Sequence, residues 1–308
     1  MIQIDDLAKS YGGHLALNHV SFTIEAGDMF GLIGPNGAGK TTLIRILATL
    51  LQPTSGKASI NGKSVTKEAV DVRRMIGYMP DFFGVYEELK VREYLEFFAS
   101  TYGIKGAKRK AVVDGVLELT DLVEKRDALI ASLSRGMQQR LGLARVLVHD
   151  PQVLFLDEPA SGLDPRARIE IRALLKELRK MGKTILISSH ILADLADLCN
   201  KIGLIERGKL LYAGGLKEAM AKVQSDDLWL VEVFEEPEKA QNILQHQTFI
   251  ETVTPEDGFL RVKLRPGEGE VHRIPQALLE QGLRLKQFKL VEVTLEDAFL
   301  KLTKGEVS

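Results

Sequence analysis

Gly34-Pro35-Asn36-Gly37-Ala38-Gly39-Lys40-Thr41 follows the apolar run Met29–Ile33 and leads into a helical pattern over Thr42–Leu51. The octet fits G-x-x-x-x-G-K-[ST], and strand, glycine loop and helix are the context that gives the pattern meaning. Glycines let consecutive backbone N–H groups wrap a phosphate, and the helix N-terminus adds partial positive charge. Gly34, Pro35, Asn36, Gly37, Ala38, Gly39, Lys40, Thr41 and Thr42 are therefore the expected phosphate cradle. Lys40 suits the β- and γ-phosphates and the Thr41 hydroxyl suits Mg²⁺, and a mere turn needs neither residue.

The neighbouring pattern is α/β. Val20–Ile24 alternates as a half-buried strand, while Val153–Leu156 and Thr184–Ser188 are uniformly apolar, which suits a sheet covered on both faces. Asp164-Pro165 reads as an N-cap with proline at the first helical position. Ile169, Leu174, Leu175, Leu178 and Met181 then recur at helical spacing, and Gly182 stops the helix. Val153–Leu156 ends in Asp157-Glu158. Beside a phosphate loop, Asp157 is placed to hold Mg²⁺ directly or through water, and Glu158 to orient or deprotonate an attacking water. These residues alone describe a P-loop NTPase, with kinases, GTPases and motor ATPases all compatible.

A chain of 308 residues suggests about two domains. Lys+Arg total 41 against 42 for Asp+Glu, a net charge of −1, which weighs against nucleic acid as a partner. The single cysteine, Cys199, excludes a disulfide scaffold and fits a reducing compartment. Met1–Asp6 lacks the basic-then-apolar pattern of a secretory signal, and no stretch approaches the ~18 apolar residues of a membrane span. A soluble, intracellular protein is expected. After about residue 225 the pattern becomes ferredoxin-like. It predicts strands at Leu228–Phe234, Phe249–Val253, Phe259–Leu264 and Leu283–Val293, with helices at Pro237–Gln245 and Val271–Gln281. Pro255-Glu256-Asp257-Gly258 reads as a turn, and Thr294 with Asp297 as the capping box of a last helix.

Ser132-Leu133-Ser134-Arg135-Gly136-Met137 lies shortly before the carboxylate strand. Ser134 is a good N-cap for a helix with Met137, Leu141, Ala144, Leu147 and Val148 on its apolar face. A serine and a glycine at a helix N-terminus make a second anion site, which suggests a composite site facing a nucleotide held by another subunit.

At this point the chain, over essentially residues 1–220, resembles the ATP-binding subunits of ABC transporters. Leu133-Ser134-Arg135-Gly136-Met137 is similar to their signature motif, and Ser161-Gly162-Leu163-Asp164 to the D-loop. His190 matches the switch histidine, Tyr11 the aromatic that stacks on adenine, and Gly77-Tyr78-Met79-Pro80-Asp81 the Q-loop. Asp164 has a second role open to it, as cap of the helix at Pro165. Two motifs depart from the family pattern. Asp81 stands where Gln is usual, bringing a full charge beside the phosphates while still able to ligate Mg²⁺. Arg135 replaces a glycine and Met137 a glutamine, with Arg135 able to contact nucleotide or to stay solvated.

The tail Val291-Glu292-Val293-Thr294-Leu295-Glu296-Asp297-Ala298-Phe299-Leu300 is similar to that of ATPase subunits of ABC-2-type exporters. The resemblance implies an ATPase domain at 1–222, with a helical subdomain at about 81–150, and an α+β accessory domain at 223–308. It implies ATP and Mg²⁺, with Tyr11, the phosphate loop, Ser134, Gly136 and Asp164 on nucleotide and Thr41, Asp81 and Asp157 on the metal. Glu158 and His190 are the implied catalytic pair. A second ATPase subunit and an integral membrane permease are the implied partners. The chain would sit peripherally on the cytoplasmic face and have no direct contact with cargo. Phe82-Phe83-Gly84-Val85-Tyr86-Glu87-Glu88 is either a permease-contact surface or subdomain core. A soluble or regulatory ATPase not coupled to transport is the alternative.

Overall fold

The computed structural model describes residues 1–82, 84–191, 195–223, 228–265 and 271–291. Phe83, the capped helix expected at Thr294 and the tail motif beyond Val291 lie outside the described residues. The chain divides into two compact units, one comprising Met1–Ala219 and the other starting at Met220.

In the first unit the strands are β1 (Ile2–Tyr11), β2 (His14–Ile24), β3 (Met29–Ile33), β4 (Ser55–Ile60), β5 (Lys63–Ser64), β6 (Ile76–Met79), β7 (Val153–Asp157), β8 (Thr184–Ser189), β9 (Lys201–Glu206) and β10 (Lys209–Gly215). They form a four-stranded antiparallel sheet, β2-β1-β4-β5, and a six-stranded sheet, β10-β9-β3-β8-β7-β6. The larger sheet is parallel except where β10 turns back on β9. Every residue of β3, β7 and β8 is buried, as their unbroken apolar character requires. Each fully buried Leu or Phe of β7 contributes about 1.5–3 kcal/mol. Phe22 of β2 stacks on Phe30 of β3, with ring centroids 5.0 Å apart, and so joins the two sheets.

Helix α1 (Lys40–Leu47) buries Leu43, Ile44, Ile46 and Leu47 in the core formed by both sheets. It begins two residues before and ends four before the expected Thr42–Leu51. Thr49 takes a φ of 64°, and the Leu50 N–H donates to the Arg45 carbonyl at 2.9 Å, closing the helix in a Schellman-like turn. Helices α2 (Ala69–Met75), α3 (Val91–Thr101), α4 (Gly106–Leu119) and α5 (Arg135–Leu147) follow, the last three packing on one another. Tyr94 is fully buried among them, against the rings of Tyr86 and Phe98. Helix α6 (Pro165–Lys180) buries Ala167, Ile171, Leu174, Leu175 and Leu178. Ile169 and Met181, expected on that face, are 59% and 55% exposed: Ile169 lies off the stripe and Met181 is beyond the last turn.

Helix α7 (Leu216–Val223) precedes the second unit's β11 (Leu228–Val233), α8 (Pro237–Gln245), β12 (Ile250–Glu256), β13 (Phe259–Leu264), α9 (Arg273–Glu280) and β14 (Leu285–Leu290). The order β12-β13-β11-β14, antiparallel throughout, is the split βαβ arrangement expected from the pattern. Val231, Leu260, Val262, Leu244, Ile274 and Leu278 form its core. The turn is tighter than expected. Asp257 and Gly258, with φ of 44° and 86°, make a two-residue hairpin loop, and Pro255 belongs to β12, an edge strand that tolerates it. No helix among the described residues is long and apolar enough to cross a membrane.

Candidate functional site

The register of the large sheet gathers the site. At the C-terminal ends of β3, β8 and β7, Ile33 pairs with Ser189 and Asp157 with Ser188, so Gly34, His190 and Glu158 all leave the sheet at the same end. Two glycines of the loop are sterically required. A Cβ on Gly34 would stand 2.2 Å from the Ile205 carbonyl oxygen, and one on Gly39 2.5 Å from that of Ala16.

Lys40 is 6% exposed, and its Nζ donates to the carbonyls of Gly34 at 2.6 Å and Pro35 at 3.2 Å. It also lies 3.7 Å from Glu158 Oε1. A buried ammonium is tolerable only with such oxygen neighbours. Glu158 has a φ of 52°, which turns its side chain from the strand end back over the loop. Its Oε2 accepts from His190 Nδ1–H at 2.8 Å, so the carboxylate is held between an ammonium and an imidazole.

Asp157 is 1% exposed, and its Oδ1 accepts from the Ser188 hydroxyl at 2.6 Å. The same Oγ accepts the Glu158 N–H at 3.0 Å, and the Ser188 carbonyl accepts it at 3.2 Å. One buried serine therefore fixes both carboxylate-bearing residues. A cavity of about 210 Å³ opens here, lined by Ala16, Asn36, Gly37, Ala38, Gly39, Lys40, Thr41, Thr42, Asp81 and Glu158. Partial desolvation, then the charges of Asp157 and Glu158, hold the Asp81 pKa above the ordinary aspartate value, with Arg135 and His190 opposing.

Asp81, Asp157 and Glu158 thus crowd negative charge around one buried ammonium. Among the described residues no group of three or more His, Cys, Asp or Glu could hold a metal ion by itself. Of the residues expected on Mg²⁺, Thr41 and Asp81 line the cavity, while Asp157 is buried outside its lining; a cation that keeps water and phosphate oxygens in its shell needs only one or two carboxylates.

Ser134, Gly136, Asp164 and Tyr11 stand outside the cavity lining. The Ser134 hydroxyl accepts from the Met137 N–H at 3.3 Å, and Asp164 from the Ala167 N–H at 2.9 Å, so each caps its helix as expected. At Gly136 a Cβ would meet the Ala167 Cβ at 2.9 Å, so the first turns of α5 and α6 approach closely. Tyr11 ends β1 with 48% of its surface exposed and the Lys9 ammonium 5.2 Å from its ring centroid. Arg135 is exposed, and its Nη2 also donates to the Ser161 carbonyl of its own chain at 3.4 Å.

Ser188, Ala16 and Gln139 escape the sequence reading. Ser188 reads as the end of an apolar strand, and its role appears only when Asp157 and Ser188 pair in register. Gln139, inside α5, donates from Nε2 to the Pro159 carbonyl at 2.6 Å, a partner twenty residues away.

The family model described as "ABC transporter" matches residues 17–161. The chain is 36% identical to the bacitracin transport ATP-binding protein BcrA of Bacillus licheniformis, covering 99% of this chain and 98% of that protein. It is 35% identical to the Nod factor export ATP-binding protein I of Burkholderia orbicola, covering 99% and 98% respectively. Among solved structures, the dimeric post-hydrolysis state of the cassette MJ0796 bound to ADP and Pi superposes with a TM-score of 0.64. That match has 26% identity and covers 70% of this chain and 99% of that one. With its phosphate loop and Glu158 lining one cavity, His190 bonded to that carboxylate, and identity of this order along nearly its whole length, the chain belongs to the ABC transporter ATP-binding subunits.

Proposed function

We propose that this chain hydrolyses ATP to power export through a separate integral membrane permease. The observation that carries the reading is the convergence of Lys40, Asp81 and Glu158 on the phosphate-loop cavity, with His190 bonded to Glu158. Backbone N–H groups of the loop bind the phosphates, Lys40 meets the β- and γ-oxygens, and Tyr11 offers its exposed ring to adenine. Thr41, Asp81 and Asp157 would hold Mg²⁺, which would supply neutralisation of the phosphate charge. Glu158 acts as general base. His190 engages Oε2, while Oε1, at 3.7 Å from Lys40, keeps a lone pair for the proton of the attacking water.

Two chains close head-to-tail, and Ser134, Gly136 and Asp164 of each complete the site of the other. The dimer of MJ0796 and the location of these residues outside their own chain's cavity lining support this arrangement. The similarity to BcrA, a transport protein, favours coupling to transport, and the similarity to the Nod factor export protein favours export as its direction. Phe82, Tyr86 and Phe97 are 88%, 57% and 49% exposed beside Glu87 and Glu88, which favours a permease-contact surface over core packing for this segment. The chain then works on the cytoplasmic face, with nucleic acid uninvolved and cargo left to the permease.

The test is purification from detergent-solubilised membranes of the source cells, followed by ATPase assay. A polytopic membrane protein that co-purifies and changes the rate of hydrolysis is the expected result. A chain that hydrolyses ATP but is recovered only from the soluble fraction would favour the uncoupled alternative.

A further inference from the structure

The loop between β7 and α6 is held by two side chains of α5. Gln139 is buried and donates to the Pro159 carbonyl at 2.6 Å, anchoring the start of the loop. Arg135, one turn earlier, donates to the Ser161 carbonyl at 3.4 Å. The next residue, Gly162, takes a φ of 65°, and a Cβ there would stand 2.4 Å from Arg135 Nη2 and 2.5 Å from Cζ. The guanidinium therefore fills the space any side chain at this position would use, lying against bare backbone. A planar, delocalised cation can do this; a hydrated ammonium on a flexible stem cannot.

We infer that Arg135 is a positioning residue that clamps the Ser161–Asp164 loop to the first turn of α5. The clamp presents Ser134, Gly136 and Asp164 to the partner's nucleotide as one rigid surface, tied to the pocket of their own chain. This rests on the composite-site reading above. A glycine, the family's usual residue here, makes no such contact, so the clamp is a property of this sequence.

Arg135 is exposed, so its replacement leaves the fold intact. In the monomeric protein without nucleotide, Arg135→Gly should speed amide hydrogen exchange over residues 161–164 by about 1.5- to fivefold, the size of effect expected for one exposed charged contact. Arg135→Lys should behave like Arg135→Gly, because charge without planarity does not restore the clamp. In a Glu158→Gln background, Arg135→Gly should weaken ATP-dependent dimerisation by a similar factor, with monomer ATP affinity within about twofold. Unchanged exchange at 161–164, full rescue by lysine, or dimerisation unaffected by the substitution would each overturn the proposal. If Glu158→Gln with Arg135 intact does not dimerise on ATP, the composite-site reading fails, and the exchange measurement still decides the clamp.

Discussion

Ser188→Ala removes one oxygen atom, and the structure sets what that oxygen does. Its hydroxyl is fully buried, donates to Asp157 Oδ1 at 2.6 Å and accepts the Glu158 N–H at 3.0 Å. The second bond has a substitute in the Ser188 carbonyl at 3.2 Å, so its loss costs little. The first is charge-assisted and has none within the strand pair; bonds of that kind are worth about 1.5–3 kcal/mol, more when the stranded group is buried. A destabilisation of about 2 kcal/mol follows, roughly thirtyfold in the folded-to-unfolded ratio. With a urea dependence of about 1–3 kcal/mol per molar, the midpoint should fall by about 0.7–2 M. Urea unfolding followed by far-UV circular dichroism measures it, while the fluorescence of Trp229, the one tryptophan, reports the second unit separately. The freed Asp157 should also raise the Mg²⁺ concentration needed for half-maximal hydrolysis. Ser188→Thr, which keeps the hydroxyl but crowds the core, should lose stability without the shift in Mg²⁺ dependence. A midpoint for Ser188→Ala within 0.2 M of the parent, with unchanged Mg²⁺ dependence, would refute the reasoning.

Three further outcomes follow from the same geometry. Because the Asp81 pKa is raised in the fold, stability linked to this group is full below its ordinary value of 3.8 and is lost as pH rises through the folded value. Asp81→Asn should therefore raise the melting temperature in EDTA at pH 7 by an amount that vanishes on acidification; a gain equal at every pH would contradict the electrostatic cause. Gly34→Ala must push a Cβ away from a carbonyl 2.2 Å distant, whereas Gly37→Ala meets no atom within 4 Å and bears only its φ of 78°. Thermal unfolding should rank Gly34→Ala well below Gly37→Ala, whose cost is about 1–2 kcal/mol, and the reverse order would show the loop packed differently. Burial lifts the Cys199 thiol to about 12, so a disulfide reagent at pH 8 should label it only as urea unfolds the chain, and rapid native labelling would disprove that burial.

What could be read in the sequence was whatever chemistry or periodicity is written in short spacings. The phosphate loop, the carboxylates after an apolar strand and the caps at Ser134 and Asp164 depend on neighbours within a few residues, and the structure builds each locally as expected. The split βαβ order also followed from pattern, because its connections admit few topologies. Residues whose partners are distant were not legible. Ser188 matters only through β7–β8 register, Gln139 through a carbonyl across a helix packing, and Arg135 through a glycine in another loop. The early end of α1 hid for a related reason: Leu50 and Leu51 continue the apolar pattern while Thr49 turns the backbone away.

Single-turnover hydrolysis of prebound ATP by Glu158→Gln tests the central claim, that the carboxylate after β7 takes the proton of the attacking water. Hydrolysis should slow by ~10²–10⁴, the range for loss of a general base, while ATP binding persists and the protein accumulates as an ATP-bound dimer. Turnover at the parent's rate, or loss of ATP binding itself, would contradict it.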